Sequence, residues 1–323
     1  MKARVRASEA IVKGQSSLVV IGNFDGVHFG HRAVIQAALT EARESGLAPL
    51  VLTFDPHPAE VLGQGLRPPL TVLARKIDLI ERLGAELKVI VEPFTVALSQ
   101  LTPAEFARQF VVDLLSAKVV IVGENFRFGH RRAGDLPTLS ALGQELGFAA
   151  HASSLVGDAR GPYSSTRARA ALASGDLPAV EAVLGRPHSL SGTVVPGAQR
   201  GRTIGVPTAN LGGVAEALPP YGVYAVLVDR VRDGSSVAIG TGVANIGLRP
   251  TVDAGFSVEI HLFDFSEDLY GERLRVHLVS RLREERKFAG LPELKAQIAQ
   301  DIAHARAAVA SLQPDPLARG AWR

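Results

Sequence analysis

The stretch Val19-Val20-Ile21-Gly22-Asn23-Phe24-Asp25-Gly26-Val27-His28-Phe29-Gly30-His31 constrains the fold more than any other part of the chain. A β-branched apolar run stops at Gly22, Gly26 and Gly30 bracket two histidines, and an amphipathic helical pattern follows. A strand, a glycine-bearing turn and a helix start leave backbone N–H groups and the positive end of a helix dipole available to an anion. His28 and His31 are three apart, so on a first helical turn they share one face. Two imidazoles there can donate hydrogen bonds to phosphate oxygens without adding permanent charge. An ordinary turn with two surface histidines shares that spacing.

Around this turn, strand and helix patterns alternate. Strands are expected over 17–21, 49–54, 87–91 and 119–122, and helices over 32–42, 71–83 and 136–146. Thr102-Pro103-Ala104-Glu105 reads as a capping box with proline at the first helical position, opening a helix to about Leu115. Such alternation implies parallel βαβ units with helices on both faces of the sheet. Ligands in such folds bind beyond the carboxyl ends of the strands.

Three further segments fall at those ends. Thr53-Phe54-Asp55-Pro56-His57-Pro58 is a proline-stiffened turn holding Asp55 and His57 on the rim, as a metal pair or as structure alone. The run from Gly123 to Asp135 interleaves Arg127, Arg131 and Arg132 with Phe126 and Phe128, beside Asn125. That mixture suits nucleic acid, a planar phosphorylated ligand or a charged surface loop. Ser164-Ser165-Thr166 opens a helix with Arg169 a turn later, a pattern that serves as an anion site or as a plain N-cap.

The texture changes after a helix over 176–184 and a hinge at Gly185-Arg186-Pro187. Short β-rich runs recur with little helix between them, predicting a small antiparallel barrel followed by one long helix over 291–312. The tail from Gln313 to Arg323 is expected to be loose. The glycine-rich segment Gly197 to Asn210, containing Gly201, Gly205 and Thr208, is no P-loop, because no lysine stands in the G-K-[ST] context. In the alternating run 256–263, Val258, Ile260 and Leu262 take one face and Glu259 and His261 the other. Glu259 is therefore either a solvated residue or a carboxylate able to take a proton from a hydroxyl.

Bulk properties narrow the options. At 323 residues the chain is comfortable for two domains, 1–186 and 187–323. A formal charge of +3 speaks against a nucleic-acid stripe and suits phosphorylated small molecules. The absence of cysteine excludes disulfides, thiolate metal sites and cysteine nucleophiles. Met1 to Gly14 is basic without a signal peptide's apolar core, and no segment has the length of a membrane span. The expectation is a cytoplasmic protein with neither a membrane nor an obligate protein partner.

Taken together, these motifs resemble a known family. The first run, G-x-F-D-G-x-H-x-G-H, resembles the nucleotidylyltransferase histidine signature as it stands in bacterial bifunctional riboflavin kinase/FAD synthetases. The segments around Asp55 and Asn125, and the run Ser164-Ser165-Thr166-Arg167-Ala168-Arg169, resemble its F-x-P-H-P, flavin-loop and S-S-T-x-I-R motifs. Gly197 to Asn210 resembles the riboflavin kinase signature ending in P-T-A-N. Val-Glu-Ile-His-Leu-Phe-Asp-Phe around Glu259 resembles its general-base segment, and Asn245 to Thr251, Leu269 to Gly271 and Arg283 to Phe288 match neighbouring motifs. Ala168 and Val206 depart from the usual isoleucine and phenylalanine.

The resemblance implies an α/β Rossmann-like nucleotidylyltransferase domain followed by a small antiparallel β-barrel with a C-terminal helix. It implies phosphorylation of riboflavin by ATP with Mg2+, then AMP transfer from ATP to FMN. His28, His31 and Arg169 would act in AMP transfer and Glu259 as the kinase base. Gly22, Asn23, Phe24, Gly30, Ser164, Ser165, Thr166, Gly201 and Gly205 would bind ATP phosphates. Asn125, Arg127, Asp55 and His57 would contact flavin, and Thr208 and Asn210 the metal. Adenylylation of another phosphorylated acceptor, such as phosphopantetheine, and flavin-binding regulation without turnover are the rival readings.

Overall fold

The computed structural model describes residues 15–63, 65, 67–197, 201, 204–232, 234–248, 255–315 and 321–322. The basic N-terminal stretch, Ala198 to Arg200, Arg202, Thr203 and Arg249-Pro250-Thr251, named above, lie outside them. The chain divides into two compact units: residues 2–67 with 73–164, and residues 68–72 with 165–323. Among the described residues no helix is long and apolar enough to cross a membrane.

The first unit is a five-stranded parallel sheet with helices on both faces. Its strands are β1 (Ser17–Ile21), β2 (Ala48–Asp55), β3 (Lys88–Pro93), β4 (Ala117–Gly123) and β5 (Ala149–Ser153), in the order β3-β2-β1-β4-β5. Helix α1 (Phe29–Ser45) follows β1, α2 (Leu73–Glu81) precedes β3, α3 (Pro103–Phe106) precedes β4 and α4 (Leu136–Leu146) precedes β5.

Alternate strand residues go to opposite cores, as period-two side chains must. Val19, Ile21, Leu50, Leu52 and Val120 pack with Phe106, Val111 and Leu139. Leu18, Val20, Val51 and Ile121 pack with Ile35, Leu39 and Ile80 from α1 and α2. A sheet covered on both faces needs near-continuous apolar strands, and β1 is buried along its whole length.

Local signals act as the sequence indicates. Gly46 ends α1 at φ 66°, a conformation that costs glycine little. Thr102 and Glu105 form both bonds of the capping box, an interaction of about 1 kcal/mol. The expected single helix to Leu115 instead passes from α3 into a π-helical stretch over Ala107–Leu114.

The second unit holds α5 (Ser165–Ser174), α6 (Leu177–Leu184), β6 (His188–Val195), β7 (Ala209–Gly212), β8 (Gly222–Arg232), β9 (Ser235–Leu248), β10 (Phe256–Leu262), β11 (Arg273–Glu284) and α7 (Leu291–Val309). The six strands close into a barrel in the order β8-β9-β10-β7-β6-β11. Ala168 on α5 is completely buried.

One expectation is corrected: the tail is not loose throughout. Trp322 is 5% exposed and joins Ala225, Leu227, Phe263, Ala305 and Val309 in one apolar cluster between barrel and α7. Its backbone N–H donates to Asp229 Oδ1 at 3.0 Å. Asp229 is fully buried, and its Oδ2 accepts from His277 Nε2 at 3.0 Å with Arg275 3.8 Å away. A large aromatic area and one backbone donor hold this end of the tail.

Candidate active sites

The chain runs from β1 outward to β3, then returns to place β4 on the other side of β1. Side-by-side strands whose connections depart in opposite directions leave a crevice at their carboxyl ends. Residues 22–28 follow β1 there and residues 124–132 follow β4.

The turn after β1 holds unusual backbone geometry. Phe24 and Val27 have φ of 50° and 42°, and Gly26 lies between them at 83°. Left-handed backbone costs a bulky residue about 1–2 kcal/mol. Burial compensates, since Phe24 is 3% exposed and Val27 1% exposed. The turn delivers His28 as the N-cap of α1, and His28 Nδ1 accepts from the His31 backbone N–H at 3.3 Å. With Nδ1 engaged as acceptor, the proton of neutral His28 sits on Nε2, ready to donate elsewhere. The His28 and His31 rings stack at 3.5 Å with 21° between planes, and the edge of Phe24 meets His31 at 5.2 Å. A Cβ on Gly30 would stand 3.1 Å from the His28 ring, so glycine leaves that ring its place.

Beside this turn opens a cavity of about 680 Å³, lined by Gly22, Asn23, His57, Asn125, Arg127 and the rings of Phe54, Phe94, Phe126 and Phe128. Its size and apolar walls suit a flat organic ligand with a few polar anchors. His57 Nδ1 accepts from Ala59 N–H at 3.2 Å, which leaves Nε2 as the donor nitrogen. Arg127 is tied to Asp135 at 3.1 Å. Asp55 is not on the cavity wall; its carboxylate acts on Lys76 instead.

Sequence reasoning missed Phe94 and Lys76. Phe94 follows β3 and meets Phe54 edge-on at 5.8 Å. Lys76 is 8% exposed on the first turn of α2. Burial pulls its amine below the usual lysine range, while the carboxylates of Asp25 and Asp55 pull the other way.

Ser164 ends the first unit, whereas Ser165, Thr166 and Arg169 lie on α5 in the second. Arg169 NH1 donates to the Pro68 carbonyl at 2.8 Å.

In the barrel, Glu259 on β10 pairs with Asn210 on β7 and with Asn245 on β9, setting three polar residues on one rung. The expected alternation holds: Val258, Ile260 and Leu262 are buried and Glu259 is half-buried. His261 Nδ1 lies 2.8 Å from the Pro207 carbonyl, fastening the Thr208 segment to β10. Ile204 and Val206 N–H groups both donate to the Gly201 carbonyl, folding the loop back with Gly205 at φ 83°. A Cβ on Gly201 would collide with the Val206 carbonyl oxygen, and one on Gly197 would come 2.5 Å from Asn210 Cγ, so the two glycines let the backbone pack close beside Val206 and Asn210. A cradle lined by neutral oxygens beside one carboxylate has the donor chemistry that Mg2+ shares with nucleotide phosphates. Among the described residues no three His, Cys, Asp or Glu side chains form a metal cluster.

Comparison with known proteins covers both units. A family described as FAD synthetase matches residues 11–167, and one described as riboflavin kinase matches residues 184–309. The bifunctional riboflavin kinase/FMN adenylyltransferase of Escherichia coli (strain K12) is 40% identical over 295 residues, covering 90% of this chain and 92% of that protein. The protein so named from Bacillus subtilis (strain 168) is 37% identical over 293 residues, covering 88% and 90%. A solved structure described as a macrolide-efflux protein from Streptococcus pneumoniae aligns with a TM-score of 0.78 at 30% identity, covering 92% of this chain and 95% of that one.

Proposed function

The chain belongs to the bifunctional riboflavin kinase/FMN adenylyltransferase family, and from that premise we propose how its residues divide the two reactions. It is an enzyme of flavin cofactor synthesis: with ATP it phosphorylates riboflavin to FMN, then transfers AMP to FMN, releasing pyrophosphate and forming FAD. We assign AMP transfer to residues 1–186 and the kinase to residues 187–323. One observation supports assigning the two reactions to different parts of the chain: the stacked histidines and the Glu259–Asn210 rung stand in different compact units, residues 165–186 clustering with the barrel.

For AMP transfer, the FMN phosphate is already an anion and needs no strong base. An FMN phosphate oxygen attacks the α-phosphorus of ATP as the bond to the β-phosphate oxygen breaks. His28 Nε2–H and the His31 ring donate to oxygens that gain charge, and the N-terminus of α1 adds its dipole. Gly22, Asn23, Phe24 and Gly30 shape the phosphate turn, while Asn125, Arg127 and His57 hold flavin in the phenylalanine-lined cavity. The phosphate role of Ser164, Ser165, Thr166 and Arg169 rests on the family motif alone, as does flavin contact by Asp55.

For the kinase, Glu259 takes the proton from the terminal ribityl hydroxyl as that oxygen attacks the γ-phosphorus and ADP leaves. Gly201 and Gly205 let the loop backbone approach the phosphates. Thr208 and Asn210 would hold Mg2+, which when bound neutralises phosphate charge. The localisation we propose is cytoplasmic.

The test is a Mg2+ titration of each half-reaction in Thr208→Ala and Asn210→Ala. The Mg2+ needed for half-maximal FMN formation should rise, with that for FAD formation unchanged. An unchanged kinase requirement in both variants would remove the metal assignment.

A further inference from the structure

We infer that Lys76 is a positioning residue for AMP transfer: its buried ammonium is a positive charge shared between the Asp25 turn, bearing the histidine pair, and the Asp55 turn, bearing His57, and helps to keep the two at a set spacing. This inference rests on the assignment of AMP transfer to the first unit. Lys76 sits where a cation is costly. It lies in the first turn of α2, beside the equally buried Arg75, and that turn holds no acidic residue. A helix N-terminus disfavours positive charge, and removal from water disfavours it further. Arg75 is compensated within its own helix by Asp78 at 2.6 Å. For Lys76 the compensating carboxylates come from outside, Asp25 after β1 and Asp55 at the end of β2.

The surrounding contacts explain why those carboxylates converge. β1 and β2 are neighbours in register up to Ile21 and Leu52, Gly22 N–H donates to the Leu52 carbonyl at 3.1 Å, and Thr53 Oγ1 donates to the Asn23 carbonyl at 3.3 Å. Both chains therefore leave the sheet together. Leu73 and Ile77 of α2 pack in the same apolar cluster as Phe24 and Val27, the two left-handed residues flanking Asp25 and Gly26. Helix α2 thus supports the histidine turn by apolar contact on one side and by charge on the other. Without the ammonium, the Asp25 and Asp55 carboxylates would lose a positive charge that acts on both, and the less regular turn would yield. His28 and His31 would move with it, away from the cavity wall where His57 stands.

The experiment compares the full chain with Lys76→Met, Lys76→Arg and Lys76→Met/Asp25→Asn, measuring FMN-to-FAD and riboflavin-to-FMN conversion on each preparation. Displacement of a catalytic group by an ångström costs about 100-fold. Lys76→Met should therefore lose about 100-fold in kcat for FAD formation, with KM for ATP and FMN within threefold and kinase turnover unchanged. Removing one opposing carboxylate in Lys76→Met/Asp25→Asn should recover at least tenfold, and Lys76→Arg, which keeps the charge, should retain most of the rate. A rise in KM for ATP with no recovery in the double variant would overturn the inference, because it marks direct phosphate contact. So would a Lys76→Met enzyme within threefold of wild type. Should Lys76→Met fail to fold, Lys76→Arg decides: near-wild-type kcat supports the inference and a 100-fold loss overturns it. Wild-type protein that makes no FAD would instead remove the reading beneath it.

Discussion

Replacing Gly197 by alanine tests the kinase rung through a single added methyl. Gly197 is not among the positive-φ residues, so its backbone accepts alanine without strain. The new Cβ would stand 2.5 Å from Asn210 Cγ, where 3.4 Å begins ordinary contact. Asn210 must retreat by about 1 Å, and a shift of that size in a reacting arrangement costs about 100-fold, or ~2.7 kcal/mol of transition-state stabilisation. The amide is the mobile end of a side chain, so stability should change little and the loss should fall on kcat/KM for riboflavin. Pyrophosphate release with FMN supplied should hold at the wild-type rate. Because the effect passes through Asn210, Gly197→Ala in an Asn210→Ala background should cost almost nothing more. Riboflavin kinase activity within threefold of wild type in Gly197→Ala, or full additivity with Asn210→Ala, would refute the geometry.

Three other outcomes follow from the same structure. Asn125→Ala should raise KM for FMN about tenfold with kcat near wild type, because the lost hydrogen bond serves ground and transition states alike; initial-rate kinetics at saturating ATP check this. Burial holds the Glu216 carboxyl above the usual carboxylate range, against hydrogen bonds from Ser191. The native state then binds that proton more tightly than the unfolded chain, so stability falls as pH rises from the unfolded value of about 4.3 through the raised native one. Denaturation midpoints of Glu216→Gln should show a shallower decline over that window, and parallel curves would contradict it. The chain's single tryptophan, Trp322, should emit at short wavelength and resist acrylamide quenching, whereas solvent-like emission would show that the tail does not dock.

Much of the fold is legible because local signals agree with tertiary ones. The Thr102–Glu105 capping box, the Gly46 stop and the alternation around Glu259 each carry their structural reason within a few residues. What escapes depends on partners distant in sequence. β7 hides inside a glycine-rich segment because its pairing comes from β10 and β6. Trp322 reads as tail because its slot is built from β8 and α7, and the buried acceptor for its N–H is Asp229, 93 residues earlier. The site divides in the same way. The histidine pair is visible as a motif, but the stacking of its rings is not. Lys76 resembles any surface lysine until the carboxylates acting on it are placed. The π-helical turn over Ala107–Leu114 has no signal that we can identify in its sequence.

The central claim is that two separate clusters each perform one of the two transfers, and a crossed pair of substitutions tests it most directly. With riboflavin and ATP supplied, Glu259→Gln should form FMN 10²–10⁴-fold more slowly yet convert added FMN to FAD at the wild-type rate. His31→Ala should make FMN normally and stall there. A single substitution that abolishes both conversions, or two that leave both intact, would contradict the account.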